Sequence, residues 1–323
     1  MSNAVSKRNL TEGDNPLLGV LLMMFFCMFI PFADALMKLL GETVPVMTVL
    51  VARFAIQVFL MGIVMLVQRG GISHILNLSG YVWKRLGLRS INQIAGISAV
   101  YIGLQYLPVA DNTAICFVYP ILMLITGHIV MKEHVGPHRI VASLVGFLGT
   151  LLVVQPNFMA VGANAFWPLG VAFTFVIVMM VTRQVSREID PVSIQVVTGL
   201  LALVILGILH LLFGGQDYAF FEMAWPNGRE VLYLVGAGII GSLGHLVLAF
   251  AVRFAPSSTL APMQYLEIPF ATLIGWWIFS DLPNQLAAWG IGVTIASGLY
   301  IVYREQKVRI KHRSGEKAEL ALD

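Results

Sequence analysis

The residues of this sequence that could do chemistry are charged side chains placed inside long apolar runs. Glu267 is the clearest case, because it lies near the middle of the apolar stretch 255–280, between Pro262 and Pro269. A carboxylate in mid-bilayer costs about 2.5–3.5 kcal/mol even on lenient insertion scales and is typical of a functional site. Three interpretations stay open: a protonated carboxyl hydrogen-bonded inside the protein, a site for a cationic or hydrogen-bond-donating part of a substrate, and a proton-coupling site.

Two further charges form a candidate pair. Asp34 lies six residues before the end of the first apolar run, and Arg53 lies six residues after the start of the second. Both would be about 9 Å deep on helices that rise about 1.5 Å per residue. Matched depth on consecutive antiparallel helices favours an Asp34–Arg53 pair, because pairing lowers the cost of burying either charge. Lys38 and Asp111 form a second candidate pair, or reach water by snorkelling.

Uncharged polar and aromatic side chains are further candidates for substrate binding. His245 lies midway along an apolar run and could change protonation near neutral pH, although a hydrogen-bonded buried histidine is an equally open interpretation. An apolar cavity with a few placed polar groups is the usual form of a small-molecule site. The full set of candidate substrate-binding residues is Glu267, His245, Tyr265, Gln264, Tyr101, Gln105, Asp34, Arg53 and Tyr119.

Composition indicates an integral membrane protein. The 323 residues are 58% hydrophobic and 11% charged, against about 25% charged in ordinary soluble domains. The two cysteines, Cys27 and Cys116, fall in separate apolar runs, without the spacing of a disulfide framework or a metal site. We therefore expect no metal, no cofactor and no nucleic-acid partner. The expected partners are the lipid bilayer, a small-molecule substrate and, if Glu267 couples transport, a proton; the chain would act as a monomer or homodimer.

Hydropathy predicts an all-α fold of ten transmembrane helices, since a span needs about 20 mostly apolar residues. The predicted spans are 17–40, 47–67, 90–107, 109–131, 138–155, 166–183, 192–213, 230–252, 255–280 and 285–303. The joints between them are brief and leave no room for a separate soluble domain. The polar N-terminal segment carries both charge signs and is not a cleavable signal peptide.

The distribution of basic residues predicts that both termini are cytoplasmic. With that orientation, seventeen of the 20 Lys and Arg residues fall in cytoplasmic segments, Arg229 alone falls outside, and Lys38 and Arg53 lie within spans. Such a bias follows the positive-inside rule. The bias supports the count of ten spans as well. Removing one span would place every later segment on the opposite side of the membrane, and the excess of basic residues on the cytoplasmic side would be lost.

The chain contains an internal repeat. At an offset of 149 residues Pro120 aligns with Pro269, Ile125 with Ile274, and Gly149 with Gly298. Each half would hold five spans, and an odd number inserts the second half upside down relative to the first. Inverted repeats are typical of secondary transporters, whose substrate sites lie near the midplane between the repeats. The prolines also predict bends at equivalent places in the two halves. Glycines three residues apart predict close helix packing rather than a hinge, at Gly238, Gly241 and Gly244 in span eight and at Gly146 and Gly149 in span five.

Several motifs carry a resemblance to a known family. In the first half they are the string Tyr106-Leu107-Pro108-Val109-Ala110-Asp111-Asn112-Thr113-Ala114, then Pro120, Glu133, Gly146 and Gly149. In the second half they are Ala255-Pro256-Ser257-Ser258, Tyr265, Asp281 and Ser297-Gly298-Leu299-Tyr300. With Asp34-Ala35-Leu36-Met37-Lys38 and Arg53, the chain resembles the drug/metabolite transporter superfamily, specifically EamA-type transporters with two inverted five-helix halves.

The resemblance implies solute transport through a central cavity lined by spans one to four and six to nine, with spans five and ten peripheral. Substrates of such transporters include amino acids, vitamins and nucleoside-like compounds, moved in either direction. The expected organisation is a cytoplasmic N-tail over 1–16, a first EamA repeat over 17–155, a second over 166–303, and a basic cytoplasmic C-tail over 304–323. Two residues depart from the pattern: His245 stands where this branch often has Gln, and Glu267 where an uncharged residue is more common.

Two other classes of protein fit the sequence less well. An intramembrane enzyme acting on lipid or peptide would need a nucleophile and base on facing helices, whereas Ser242 and His245 are three apart on one helix and form no Gly-x-Ser-x-Gly elbow. A channel or passive facilitator would show a filter loop or charged ring. We therefore expect a secondary active transporter of a small organic metabolite in the bacterial inner membrane, working by alternating access and not as an enzyme.

Overall fold

A computed structural model describes residues 15–41, 43–69, 73–107, 109–133, 135–154, 162–216, 218–280 and 284–319. It does not describe the side chains of residues 69, 73, 74, 110, 111, 114, 154, 165, 219, 305, 306 and 308–319. The side chain of Asp111, and with it the predicted Lys38–Asp111 pair, therefore lies outside the described part, as do the motif residues Pro108 and Asp281.

The described residues form helices and no strands. The α-helices are α1 (Pro16–Leu40), α2 (Val46–Arg69), α3 (Ser73–Leu76), α4 (Gly80–Tyr106), α5 (Val109–Cys116), α6 (Tyr119–Ile129), α7 (Pro137–Val154), α8 (Phe166–Val185), α9 (Pro191–Phe213), α10 (Gly228–Phe254), α11 (Ser257–Leu260), α12 (Glu267–Phe279) and α13 (Gln285–Glu319). Short 3₁₀ helices cover Gly162–Ala165, Ala219–Phe221 and Ala261–Leu266. Each of the ten predicted spans is helical, and α4 and α13 extend well beyond their predicted limits.

Six of the helices in the described ranges are long and apolar enough to cross a membrane. They are Pro16–Leu40, Val46–Gln68, Gly162–Val185, Pro191–Phe213, Gly228–Phe254 and Gln285–Arg304. The segments of predicted spans four and nine are each divided, and α4 carries Lys84, Arg85 and Arg89 near its start. Breaks and charges of this kind are tolerated where a helix lines a cavity or lies inside a bundle.

The two halves of the chain interlock through a symmetric set of helix contacts. The four most extensive helix contacts join α1 to α10, α4 to α8, α2 to α9 and α7 to α13. In the numbering of the repeat these are spans one with eight, three with six, two with seven, and five with ten. A rotation that exchanges the two halves converts the pair of spans one and eight into the pair of spans six and three. The same rotation maps the pair two and seven, and the pair five and ten, onto themselves. The contacts therefore follow a pseudo-twofold axis between the repeats.

Predicted spans four and nine are broken at equivalent positions, as expected from their prolines. In the first half α5 ends at Cys116 and α6 starts at Tyr119, one residue before Pro120. In the second half a 3₁₀ turn leads into α12, which starts at Glu267, two residues before Pro269. Proline lacks the N–H for the preceding helical turn, and each break turns a helix N-terminus toward the middle of the bundle.

Glycines allow close helix contacts at the predicted positions. A side chain at Gly146 would collide with the ring of Tyr265, and one at Gly238 would collide with Ile56. In α13 a Cβ on Gly290 would lie 2.5 Å from the Gly149 carbonyl oxygen and 2.8 Å from the Val153 nitrogen. Small residues permit such backbone approach between membrane helices, so the predicted packing role of glycine is confirmed.

The contact between α7 and α13 gives a stability prediction. We expect Gly290→Ala to lower the free energy of unfolding by about 1–3 kcal/mol, because its Cβ overlaps backbone atoms that cannot rotate away. The matched control is Gly292→Ala, where nothing lies within 4 Å of the added carbon. Thermal unfolding of the purified variants in detergent measures the difference; equal melting temperatures for the two variants would contradict the close contact.

Candidate functional site

The carboxylate of Glu267 lies where the two broken helices meet. Glu267 is the first residue of α12 and is 8% exposed. The Oη of Tyr119, the first residue of α6, donates to Glu267 Oε2 over 3.4 Å. A carboxylate in the first turn of a helix is favoured by the positive end of the helix dipole. The break and the tyrosine therefore explain how the bundle tolerates an acid at this depth.

A second contact joins the two breaks and fixes their geometry. Tyr265 Oη donates to the carbonyl oxygen of Phe117 over 3.4 Å, in the turn that precedes α6. Cys27 Sγ of α1 lies 3.6 Å from the Met263 carbonyl oxygen, which belongs to the 3₁₀ turn. These buried groups supply donors to carbonyls near the breaks, so the irregular backbone is held without water.

A cavity of about 110 Å³ opens beside this junction, between the two halves. Both halves contribute to its wall, through α1, α2, α4, α5 and α6 on one side and α8, α10 and α12 on the other. The lining residues are Phe26, Ile30, Asp34, Met37, Arg53, Asn92, Gln93, Gly96, Ile97, Val100, Asn112, Thr113, Cys116, Tyr119, Val171, Thr174, Phe175, Val178, His245 and Glu267. This is a mainly apolar cavity with a few convergent polar groups, the usual form of a small-molecule site.

Asp34 and Arg53 both line the cavity, and each lies in the electrostatic field of the other. No hydrogen bond or ion pair within 4.0 Å joins these two described side chains. Arg53 Nη1 instead donates to the Met37 sulfur over 3.2 Å, and its guanidinium lies against Gly241, where a Cβ would collide with it. Because the two charges are close without being locked together, both stay available to a bound molecule.

Three buried polar atoms in the wall have no hydrogen-bond partner. They are Gln93 Nε2, Asn112 Oδ1 and His245 Nδ1. A buried polar group without a partner costs about 1–3 kcal/mol. Three such atoms around one cavity, each from a different helix, are placed to hydrogen-bond to water or to a molecule bound there.

The sequence profile of the EamA-like transporter family matches residues 17–155 and again residues 163–303. The chain belongs to this family. Its repeat is present twice, in agreement with the internal similarity and with the symmetric helix contacts. With six long apolar helices, this EamA-family chain is a multi-pass membrane protein, and its family indicates a transporter and not an enzyme.

Similar proteins carry transporter names. A protein of Vibrio cholerae serotype O1 named riboflavin transporter is 25% identical over 272 residues, which cover 84% of this chain and 87% of that protein. A protein of Rickettsia felis named S-adenosylmethionine uptake transporter is 24% identical over 231 residues, covering 70% and 74%. A solved crystal structure matches the fold with a TM-score of 0.67 at 17% identity, covering 86% of this chain and 95% of the other.

Five of the predicted site residues come together in the cavity of this EamA-family protein: Asp34, Arg53, Tyr119, His245 and Glu267. They come from five different helices. Their substrate-binding role stays a prediction, but their shared position is what such a role requires.

The other four predicted residues lie outside the cavity wall. Tyr101 Oη lies 2.7 Å from the carbonyl oxygens of both Gly41 and Val44, so its single proton is shared between them and fixes the turn between α1 and α2. Gln105 lies beside Tyr101. Gln264 and Tyr265 are fully buried in the 3₁₀ turn Ala261–Leu266. The side-chain oxygen and nitrogen of Gln264 have no hydrogen-bond partner there.

Sequence reasoning missed most of the polar residues that line the cavity. Asn92 and Gln93 lie on α4, Asn112 and Thr113 on α5, and Thr174 on α8. A usable signal was present on α4, because the lining residues of that helix recur at helical spacing through Gly96, Ile97 and Val100. Two amide side chains at the start of a helix face that otherwise carries small or apolar residues indicate that this face of α4 lines a cavity.

Proposed function

We propose that this protein is a secondary active transporter that moves a small organic metabolite across the bacterial inner membrane, with the cavity between its repeats as the substrate site. The observation that carries the proposal is the set of buried, unpartnered polar atoms of Gln93, Asn112 and His245 on the wall of that cavity. The proposed protein has ten spans, both termini in the cytoplasm, and repeats over 17–155 and 166–303.

The chemistry of the wall suits a ligand with both donor and acceptor groups. Gln93 Nε2 is a donor, Asn112 Oδ1 is an acceptor, and His245 Nδ1 takes either role according to its tautomer. Phe26 and Phe175 add apolar ring faces. Relatives named for riboflavin and S-adenosylmethionine make heterocyclic metabolites with polar edges the first compounds to test.

We place the described conformation on the outward-facing side of an alternating-access cycle. In the proposed topology the cavity reaches from Asp34 and Arg53, in the outer halves of their spans, to Gln93 and His245, in the inner halves of theirs. Contacts at the inner ends of the helices close the inner side. Glu133 accepts from the Ser257 and Ser258 nitrogens over 3.1 and 2.9 Å, and Arg183 Nη1 donates to the Val252 carbonyl oxygen over 2.6 Å. Rocking of one repeat against the other would open the Glu133 contact, because it joins the first repeat to the second, whereas the Arg183 contact lies within the second repeat.

The test combines ligand discovery with transport. A thermal-shift screen of the purified protein against a metabolite library identifies compounds that raise its melting temperature, because a ligand that binds only the folded state stabilises it. Proteoliposomes loaded with such a compound should show saturable uptake and counterflow. Flux that does not saturate and shows no counterflow would indicate a channel, and chemical turnover of lipid or peptide would indicate an enzyme; either result contradicts the proposal.

A further inference from the structure

Arg89 on α4 is a buried cation without a counter-ion in the described part of the chain. It is 1% exposed, Nε donates to Thr182 Oγ1 over 2.9 Å, and Nη1 donates to Gln93 Oε1 over 3.0 Å. Both acceptors are neutral, and no described carboxylate lies within 4.0 Å of the guanidinium. An uncompensated charge inside a protein is strongly unfavourable, so an anion is expected to occupy this position during some part of the working cycle.

Gln93 connects this cation to the cavity. It lies one helical turn after Arg89, lines the cavity, and its Nε2 is buried without a partner. A guanidinium carries five N–H donors, and the described residues accept two of them. The remaining three, with the two N–H groups of the Gln93 amide, form a cluster of donors that lacks an acceptor. Gln93 is part of the cavity wall, and Arg89 lies directly behind it.

The charges around the cavity are unevenly distributed. His245 lies in the electrostatic field of both Arg53 and Arg89. Arg53 has Asp34 nearby to offset its charge, and Glu267 accepts a hydrogen bond from Tyr119 on the other side. The end of the cavity near Arg89 is therefore its cationic end.

We propose that Arg89 and Gln93 form an oxyanion subsite, which binds a carboxylate or phosphate group of the transported metabolite. The inference rests on the proposed transport function, because it assigns a part of the substrate to one end of the same cavity. A planar guanidinium matches two oxygens of such a group in bidentate fashion, and Gln93 Nε2 adds a third donor. The substrate class is then an organic acid, a zwitterion or a phosphorylated metabolite.

Anion binding can be measured without knowing the metabolite. Inorganic phosphate and acetate are titrated separately into the purified full-length protein, with chloride at equal ionic strength as reference, and the melting temperature is followed. A saturable rise is expected for at least one anion in the wild type, and the more effective anion indicates whether the substrate group is a phosphate or a carboxylate. No saturable rise with either anion would overturn the subsite.

Two arginine variants separate this site from general ionic effects. Arg89→Gln should weaken the apparent anion affinity about ten-fold or more, the usual effect of losing a charged hydrogen bond. Arg85→Gln removes the same charge one turn earlier on α4, where the guanidinium stacks on Tyr81, and should leave the affinity unchanged. An equal response in the wild type and both variants would overturn the assignment to Arg89.

A third variant keeps the test decisive if Arg89→Gln fails to fold. Gln93→Glu places a carboxylate oxygen where Oε1 already lies 3.0 Å from Arg89 Nη1, and so supplies an internal counter-ion. It should raise the melting temperature in chloride and abolish the response to phosphate and acetate. A wild-type anion response in Gln93→Glu would overturn the subsite.

The outcomes distinguish the subsite from the transport function. Saturable counterflow of a metabolite by a protein that shows no anion response overturns the subsite alone. A clear anion response by a protein that carries no compound across a membrane leaves the anion site standing and overturns the proposed transport function.

Discussion

Glu267→Gln should lower kcat/KM for transport about ten-fold or more and remove its dependence on pH. The carboxylate lies in the cavity, and a charged hydrogen bond to a ligand contributes about 1.5–3 kcal/mol. The pH dependence follows if a proton and a donor group of the substrate compete for the same oxygens, so that the wild type binds more weakly as pH falls. Glutamine keeps an acceptor for Tyr119 Oη and so preserves the contact between the two broken helices.

Initial rates in proteoliposomes across a range of pH measure this effect. Glu188→Gln is the matched control, because Glu188 is an exposed residue outside the cavity. Wild-type rates and an unchanged pH profile in Glu267→Gln would remove Glu267 from both the substrate site and proton coupling, and would leave it a structural, hydrogen-bonded carboxyl.

Glu133→Ala should slow transport about ten-fold or more with the cavity itself intact. Both oxygens of Glu133 accept from backbone nitrogens at the start of α11, and Arg139 Nη1 donates to Ser258 Oγ over 3.1 Å. These bonds join the loop before α7, and the first turn of α7 itself, to the start of span nine in the second half. Losing two charged hydrogen bonds removes about 3 kcal/mol or more from the closed arrangement and shifts the balance between outward-facing and inward-facing states.

The population shift has its own readout. The apparent affinity of a ligand falls in proportion to the fraction of protein in the binding-competent state, so Glu133→Ala should bind an externally added substrate more weakly. Glu133→Gln retains one acceptor oxygen and should be intermediate. Gel filtration verifies that both variants are folded and monodisperse. Transport by Glu133→Ala at the wild-type rate and affinity would mean that the contact is not a gate.

Much of the fold could be predicted because membrane helices are specified by local properties. Hydropathy gave the ten helical segments, Pro120 and Pro269 marked the two breaks, and the glycines of α7 and α10 marked close contacts. Each signal depends on one residue type and its immediate neighbours: a run of apolar side chains, a missing N–H, or a missing Cβ.

The candidate site was less predictable, because it depends on how helices rotate about their axes. Gln264 and Tyr265 are neighbours of Glu267 in sequence, yet they lie away from the cavity, since consecutive helical residues point in different directions. Tyr101 and Gln105 share a face of α4, and Asn92 and Gln93 lie on another that faces the cavity. Sequence also matched the depths of Asp34 and Arg53 without revealing that Met37 and Gly241 hold the guanidinium apart from the carboxylate.

The central claim, that the cavity between the repeats is the substrate site, is tested most directly by counterflow with a matched pair of glutamine variants. Gln93→Leu removes a cavity amide and keeps its bulk, whereas Gln68→Leu makes the same change at an exposed position near the end of α2. For the metabolite found by thermal shift, we predict wild-type counterflow in Gln68→Leu and a loss of about ten-fold or more in Gln93→Leu. Counterflow by Gln93→Leu with the wild-type rate and KM would contradict the claim.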